Sequence, residues 1–214
     1  MSNEGHTTIL QKLASSLFAL CLVLACAACH KDESAFEAIQ PPETTPSAGL
    51  QKYWAVPDFT LTDQNGQPLS LADLKGKVWV ADFFYATCPG PCPLLTARLA
   101  RVEKEAADVP DFRLVSITVD PGSDTPAVLK AYAERFQAGA NWSFCTGEKD
   151  AIYKLIHDGF KLPLSGATPQ AAIIHTTRVA LMDKTGTVRG FYEGGTDDGA
   201  KELVSAIRTL IQEK

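Results

Sequence analysis

Clustered positive charge is missing from this chain. Its 20 Lys and Arg are scattered against 25 Asp and Glu, for a net charge of −5. No basic run supplies the phosphate contacts on which nucleic-acid affinity mostly depends, which argues against such a partner. Deleting residues 1–29 removes Lys12 and Glu4 and leaves the balance unchanged. Cysteine is scarce too: six residues, three of them in an N-terminal apolar stretch, are too few for a disulfide scaffold. Histidine occurs four times, so few imidazoles are available to any metal. Internal repeats are lacking. What remains is 214 residues at 45% hydrophobic content, enough for one sizeable domain with a leader and a linker.

The leader follows from the run Leu13 to Ala28, which comes after a short polar start with one lysine and ends in small residues. That is the pattern of an export signal and points to an oxidising, extracytoplasmic compartment, periplasmic or on the outer face of the cytoplasmic membrane. Val23-Leu24-Ala25-Cys26 resembles a bacterial lipobox, and Cys29 after Ala27-Ala28 is a second site for a lipid. An uncleaved anchor helix is the alternative, although about 16 apolar residues are slightly short of the roughly 20 that span a bilayer. Cleavage to a soluble protein is the third outcome. Tethering of some kind is the expectation. Residues 30–52 mix charges with Ser, Thr, Pro41, Pro42 and Pro46 and show no apolar periodicity, as a flexible linker does. Residues 53–214 form the expected domain.

Within the domain, Asp58 to Asp63 alternates like a half-buried strand before a turn at Gln64-Asn65-Gly66, and Ser70 caps a short helical turn through Leu74. Val78 to Tyr85 is apolar, β-branched and aromatic, as a strand buried on both faces should be. Leu94, Leu95, Leu99 and Val102 then recur at helical spacing. Phe112 to Val119 supplies another strand, and Asp124-Thr125-Pro126 opens a helix to about Gln137, with Asp124 as its N-cap. Strand, helix, strand implies a parallel crossover. Trp142 to Cys145 is a short strand, followed by a helix from Lys149 to His157 and a loop from Leu162 to Gln170. Arg178 to Asp183 and Thr187 to Tyr192 make a hairpin across Lys184-Thr185-Gly186, and a terminal helix starts at Asp197 or Asp198 and ends near Ile211. A βαβ half, a hairpin half and a closing helix predict a thioredoxin-like α/β three-layer sandwich on a central mixed sheet.

Chemistry concentrates at the first strand-to-helix junction, Tyr85-Ala86-Thr87-Cys88-Pro89-Gly90-Pro91-Cys92-Pro93. Two thiols there can hold a thiophilic metal or close into a disulfide. Three intervening residues, against the two of a C-x-x-C redox pair, give more span and favour chelation, and Pro89 and Pro91 reduce the entropy lost on closing around an ion. With Pro93 near the start of the helix, Cys92 is expected at the positive end of the dipole, with a lowered pKa. Two thiolates leave a metal site incomplete. His6 lies in the leader, His30 in the linker, and His157 beside Asp158 late in a helix, which leaves His175 as a candidate. Taken alone, a single histidine after an apolar run reads as a hydrogen-bonded structural residue.

The segments Ala86 to Pro93, Val119 to Pro126 and His175-Thr176-Thr177 before the hairpin closely resemble the Sco/SenC family of copper-handling proteins. The resemblance runs from about Pro57 to the C-terminus. It implies a tethered thioredoxin-like domain that binds copper, as Cu(I), Cu(II) or both, through Cys88, Cys92 and His175. It implies a metallochaperone that serves the copper A-bearing subunit of cytochrome c oxidase or another copper-accepting protein. The same resemblance allows a thiol-disulfide oxidoreductase that reduces the recipient's cysteines, with Cys88 and Cys92 as the redox pair. It also suggests a supporting role near the metal for Asp120 and Asp124.

Blander readings stand beside these. A static Cys88–Cys92 disulfide would close a short loop that the prolines already stiffen. Cys145 beside Phe144 and Met182 within an apolar strand read as core, as does most of Phe83-Phe84-Tyr85. A peroxiredoxin-like site is disfavoured because Thr87 directly precedes Cys88, whereas that chemistry wants its threonine three residues before the cysteine.

Overall fold

The computed structural model describes residues 50–162 and 177–213. The leader, most of the linker and His175 lie outside the described residues. A small antiparallel pair, β1 (Thr60–Thr62) and β2 (Pro68–Ser70), opens the domain. Its turn is held by Asp63, whose carboxylate accepts from the backbone N–H of Asn65 and Gln67, both at 2.8 Å, and Gly66 takes the positive φ of 75°. The alternation from Asp58 overstates this strand, because only three residues pair. Ser70 caps α1 (Leu71–Leu74) as expected, with its backbone N–H and hydroxyl both donated to Asp73.

The main sheet has the order β5-β4-β3-β6-β7. Its strands are β3 (Val78–Phe84), β4 (Phe112–Thr118), β5 (Trp142–Cys145), β6 (Arg178–Met182) and β7 (Val188–Glu193). β3, β4 and β5 run parallel, and β6 and β7 join antiparallel, so the sheet is mixed as expected. Every residue of β3 is buried, which fits the central position its composition predicts.

Alternation along the strands divides the core between the two faces. Val78, Val80 and Phe84 pack with Leu95, Leu99 and Val102 of α2 (Cys92–Glu105), Leu129 and Tyr132 of α3 (Pro126–Arg135) and Leu203, Ile207 and Leu210 of α5 (Asp197–Gln212). Trp79, Ala81 and Phe83 face Leu61, Leu71, Leu74, Ile152 and Phe160, which lie in or beside β1, α1 and α4 (Lys149–Lys154). The result is the three-layer sandwich. Cys145 and Met182 are wholly buried in this second core.

Several local expectations need correction. Leu94 is off the buried stripe, one step around the helix from Leu95, and is 55% exposed. The N-cap of α3 is Thr125, whose hydroxyl accepts from Val128, and not Asp124. That helix stops at Arg135, and Gln137 turns left-handed at φ 55°. α4 ends at Lys154 and runs into a wider π turn over Leu155–Gly159, on which His157 sits exposed beside Asp158.

Opposite the cysteine turn, buried Arg189 gathers the ends of the domain. Its guanidinium donates to Asp183 at 3.1 Å, to Glu213 at 2.7 Å and to the carbonyls of Leu50 and Gln51. Leu50 and Gln51, assigned to the linker from sequence, are thereby held against the hairpin and the residue that follows α5.

Candidate metal and thiol site

The paired ends of β3 and β4, where Phe84 lies opposite Thr118, deliver the cysteine turn to the carboxyl edge of the sheet. The backbone N–H of Cys88 donates to the Tyr85 carbonyl at 3.2 Å and reverses the chain. Pro91 is the N-cap of α2, Cys92 its first residue and Pro93 its second. Prolines fit there because first-turn N–H groups have no helical partner to lose. Both thiols are free and only 6% and 7% exposed.

Position at the helix start does not activate Cys92. Burial raises its pKa, and so do the hydrogen bond it gives to Cys88 and the negative charges of Cys88 and Asp82; together they push it up to about 12 against a single N–H from Tyr85. Cys88 goes the other way. Burial would raise it, but the Cys92 thiol, the backbone N–H groups of Cys92 and Gly90 and the Tyr85 hydroxyl all donate to its sulfur and hold it below the ordinary thiol value. The donors of the turn converge on Cys88, while Pro91 and Pro93 have no N–H to offer. The expectation of a lowered Cys92 pKa is therefore transferred to its partner. Tyr85, desolvated and donating to Cys88, is itself pushed up to about 12.

Asp124 braces the turn from below. It is fully buried, and one carboxylate oxygen accepts from the Ala86 N–H at 3.1 Å and the Thr118 hydroxyl at 2.5 Å. Burial raises its pKa above the usual carboxylate value, with Asp120 adding to the effect. Asp120 stands where its charge also raises the neighbouring Tyr85. Behind Cys92, its carbonyl accepts from the Thr96 hydroxyl at 2.9 Å, and Thr96 meets the Tyr132 hydroxyl at 3.0 Å.

Two soft donors are thus brought together, on a turn whose Ala86 N–H is held by Asp124. Among the described residues no cluster of three or more His, Cys, Asp or Glu completes a metal site. Sequence reasoning missed Tyr85 as a thiol partner and Asp82 altogether. The available signal for Asp82 was an acid in the middle of an otherwise apolar strand.

The SCO1/SenC family model matches residues 48–212. A crystal structure of a SCO1/SenC family lipoprotein from Bacillus anthracis is 34% identical, covers 74% of this chain and 96% of its own, and superposes at a TM-score of 0.68. BsSco, described with a disulfide switch and as a member of the Sco family of cytochrome c oxidase assembly proteins, is 30% identical over 77% and 97% of the two chains, at a TM-score of 0.68. The Bradyrhizobium japonicum ScoI structure with copper bound is 26% identical over 73% and 99%, at a TM-score of 0.57.

Proposed function

Since the chain belongs to the SCO1/SenC family, we propose that it binds copper through Cys88, Cys92 and His175 and passes the ion to a copper-accepting protein. The observation that carries this reading is the buried pair of free thiols on a proline-stiffened turn, a donor set suited to copper. Position supports the histidine. The described chain resumes at Thr177, two residues after His175, where its carbonyl lies against Gly194. Gly194 also lies against Leu95, in the first turn of α2 with Cys92. Two extended residues reach about 7 Å, which bounds how far His175 can stand from the Thr177 backbone.

The recipient in this reading is the copper A-bearing subunit of cytochrome c oxidase, in keeping with the assembly role described for BsSco. The domain (53–214) works outside the cytoplasm, held by the leader (1–29) through the linker (30–52). The likeness to a lipoprotein favours lipid on Cys26 or Cys29. A second reading, reduction of the recipient's cysteines, is favoured by the unequal thiols: Cys88 is held toward thiolate while Cys92 keeps its proton.

Titration of the reduced full chain with Cu(I) and with Cu(II) tests the copper reading. One equivalent should bind, with affinity reduced about 100-fold or more in His175→Ala and binding abolished in Cys88→Ser and Cys92→Ser. Absence of stoichiometric binding, or binding undiminished in His175→Ala, would count decisively against it.

A further inference from the structure

Two chains of buried side-chain hydrogen bonds lie in the core that α2 and α3 cover. In one, Asp82 accepts from the Ser116 hydroxyl at 2.5 Å and Ser116 from Trp142 Nε1 at 2.8 Å, so that chain stays within the sheet. The other ends at the cysteine turn. Thr96, one turn beyond Cys92 in α2, is 1% exposed, and Tyr132 of α3 is 5% exposed. Thr96 Oγ1 lies 2.9 Å from the Cys92 carbonyl oxygen and 3.0 Å from the Tyr132 hydroxyl. A hydroxyl has one proton and a carbonyl can only accept. Thr96 therefore donates to Cys92, and Tyr132 donates to Thr96. The Cys92 carbonyl is held by this hydroxyl in addition to the helical N–H four residues on. Phe84, with its ring centroid 5.0 Å away, packs the Tyr132 ring against β3.

The other flank of the loop is held from the same unit. Asp124, directly before the Thr125 N-cap of α3, accepts from the Ala86 N–H at 3.1 Å. The segment from Asp124 through α3 thus grips the chain two residues before Cys88 and again at Cys92. Between these grips the Cys92 thiol donates to the Cys88 sulfur, a contact longer than the roughly 2.05 Å of an S–S bond.

We propose that Thr96 and Tyr132 are positioning residues that hold Cys92, through its carbonyl, in the open dithiol arrangement. The assignment rests on the reading of Cys88 and Cys92 as the working pair, since the open form is the one that takes up copper or attacks a partner's disulfide. Closing the pair draws the two ends of the loop together against both grips. In exchange with oxidised glutathione, the Cys88–Cys92 bond forms as the glutathione disulfide breaks, and two electrons and two protons pass to two glutathione thiols. The hydrogen bonds at Cys92 are weakened as its turn shifts, so a chain without them loses less on closure and is oxidised more readily.

Equilibrating the reduced full chain with glutathione buffers at pH 7, and quantifying the Cys88–Cys92 bridge by peptide mass mapping, gives the equilibrium constant for closure. Thr96→Val should raise it about tenfold, a shift of about 30 mV. Tyr132→Phe should raise it about threefold, because Thr96 still donates to Cys92. Thr96→Ser, which keeps the hydroxyl, should stay within about twofold of the parent. Urea unfolding separates positioning from packing. Thr96→Val leaves the buried Tyr132 hydroxyl without its acceptor and should lose stability, whereas adding Tyr132→Phe removes that cost. The double variant should therefore regain stability and keep the tenfold shift. A shift under twofold in Thr96→Val, an equal shift in Thr96→Ser, or a shift that vanishes as stability returns would overturn the assignment. So would a parent that forms no Cys88–Cys92 bridge. A parent that binds no copper yet shows these shifts would remove the copper reading and leave the assignment standing.

Discussion

Replacing Asp82 with asparagine should stabilise the protein at neutral pH although it alters the middle of the core. Burial moves this carboxyl from 3.8 to about 7, while in the unfolded chain it titrates at its ordinary value. Between those limits the folded state holds a proton that the unfolded state has released. Stability therefore falls as pH rises from about 4 to about 7 and levels off above, opposite to the usual carboxylate case. The separation corresponds to about 4 kcal/mol, a large share of the roughly 5–15 kcal/mol that stabilises a typical domain. An amide keeps an acceptor for Ser116 and has no charge to desolvate. Urea unfolding of the reduced parent and of Asp82→Asn should give stabilities within about 1 kcal/mol at pH 4. At pH 8 the variant should be ahead by up to about 4 kcal/mol, a midpoint shift of roughly 2 M. Asp108, Asp158, Asp183, Asp197 and Glu213 have lowered pKa values and titrate in the opposite sense. They are common to both proteins and cancel in the difference. A difference that stays flat from pH 4 to 8, or a variant that loses ground as pH rises, would refute the reasoning.

Three further outcomes follow from the same structure. Iodoacetamide at pH 7 with mass mapping should modify Cys88 first and leave Cys145 untouched until the fold opens; Cys92→Ala, which removes a donor to Cys88, should slow Cys88 modification roughly tenfold. Arg189→Met strands the Asp183 and Glu213 carboxylates and two carbonyls, so it should cost about 3–5 kcal/mol and open a protease site near Leu50–Lys52. Arg208→Ala, which breaks an exposed pair with Asp108, should change stability in urea unfolding by less than about 1 kcal/mol.

The elements of the sheet were legible because their signals are local. Seven buried residues of β3 read as a central strand, Leu95, Leu99 and Val102 read as a helix face, and the Lys184-Thr185-Gly186 turn marked the β6–β7 hairpin. Capping was less legible. Asp124 carries the right side chain one residue before the true cap, and only the fold shows that it is drawn inward to Ala86 and Thr118. Nothing in the spacing of residues 82, 116 and 142 announces their hydrogen-bonded chain, since it joins three separate strands.

By itself the sequence determined the kind of chemistry available: two soft thiols with three residues between them, a single candidate imidazole 83 residues beyond Cys92, and a family resemblance joining them. Residue type sets which ions and bonds a group can make, and that is written in the chain. Tertiary structure decided how the two thiols differ. A pKa responds to burial, donors and charge within a few ångströms, and those neighbours come from β3, the turn, α2 and α3 together. They hold Cys88 toward thiolate, keep the proton on Cys92, and leave Asp82 buried in β3 with one oxygen unpartnered among the described residues.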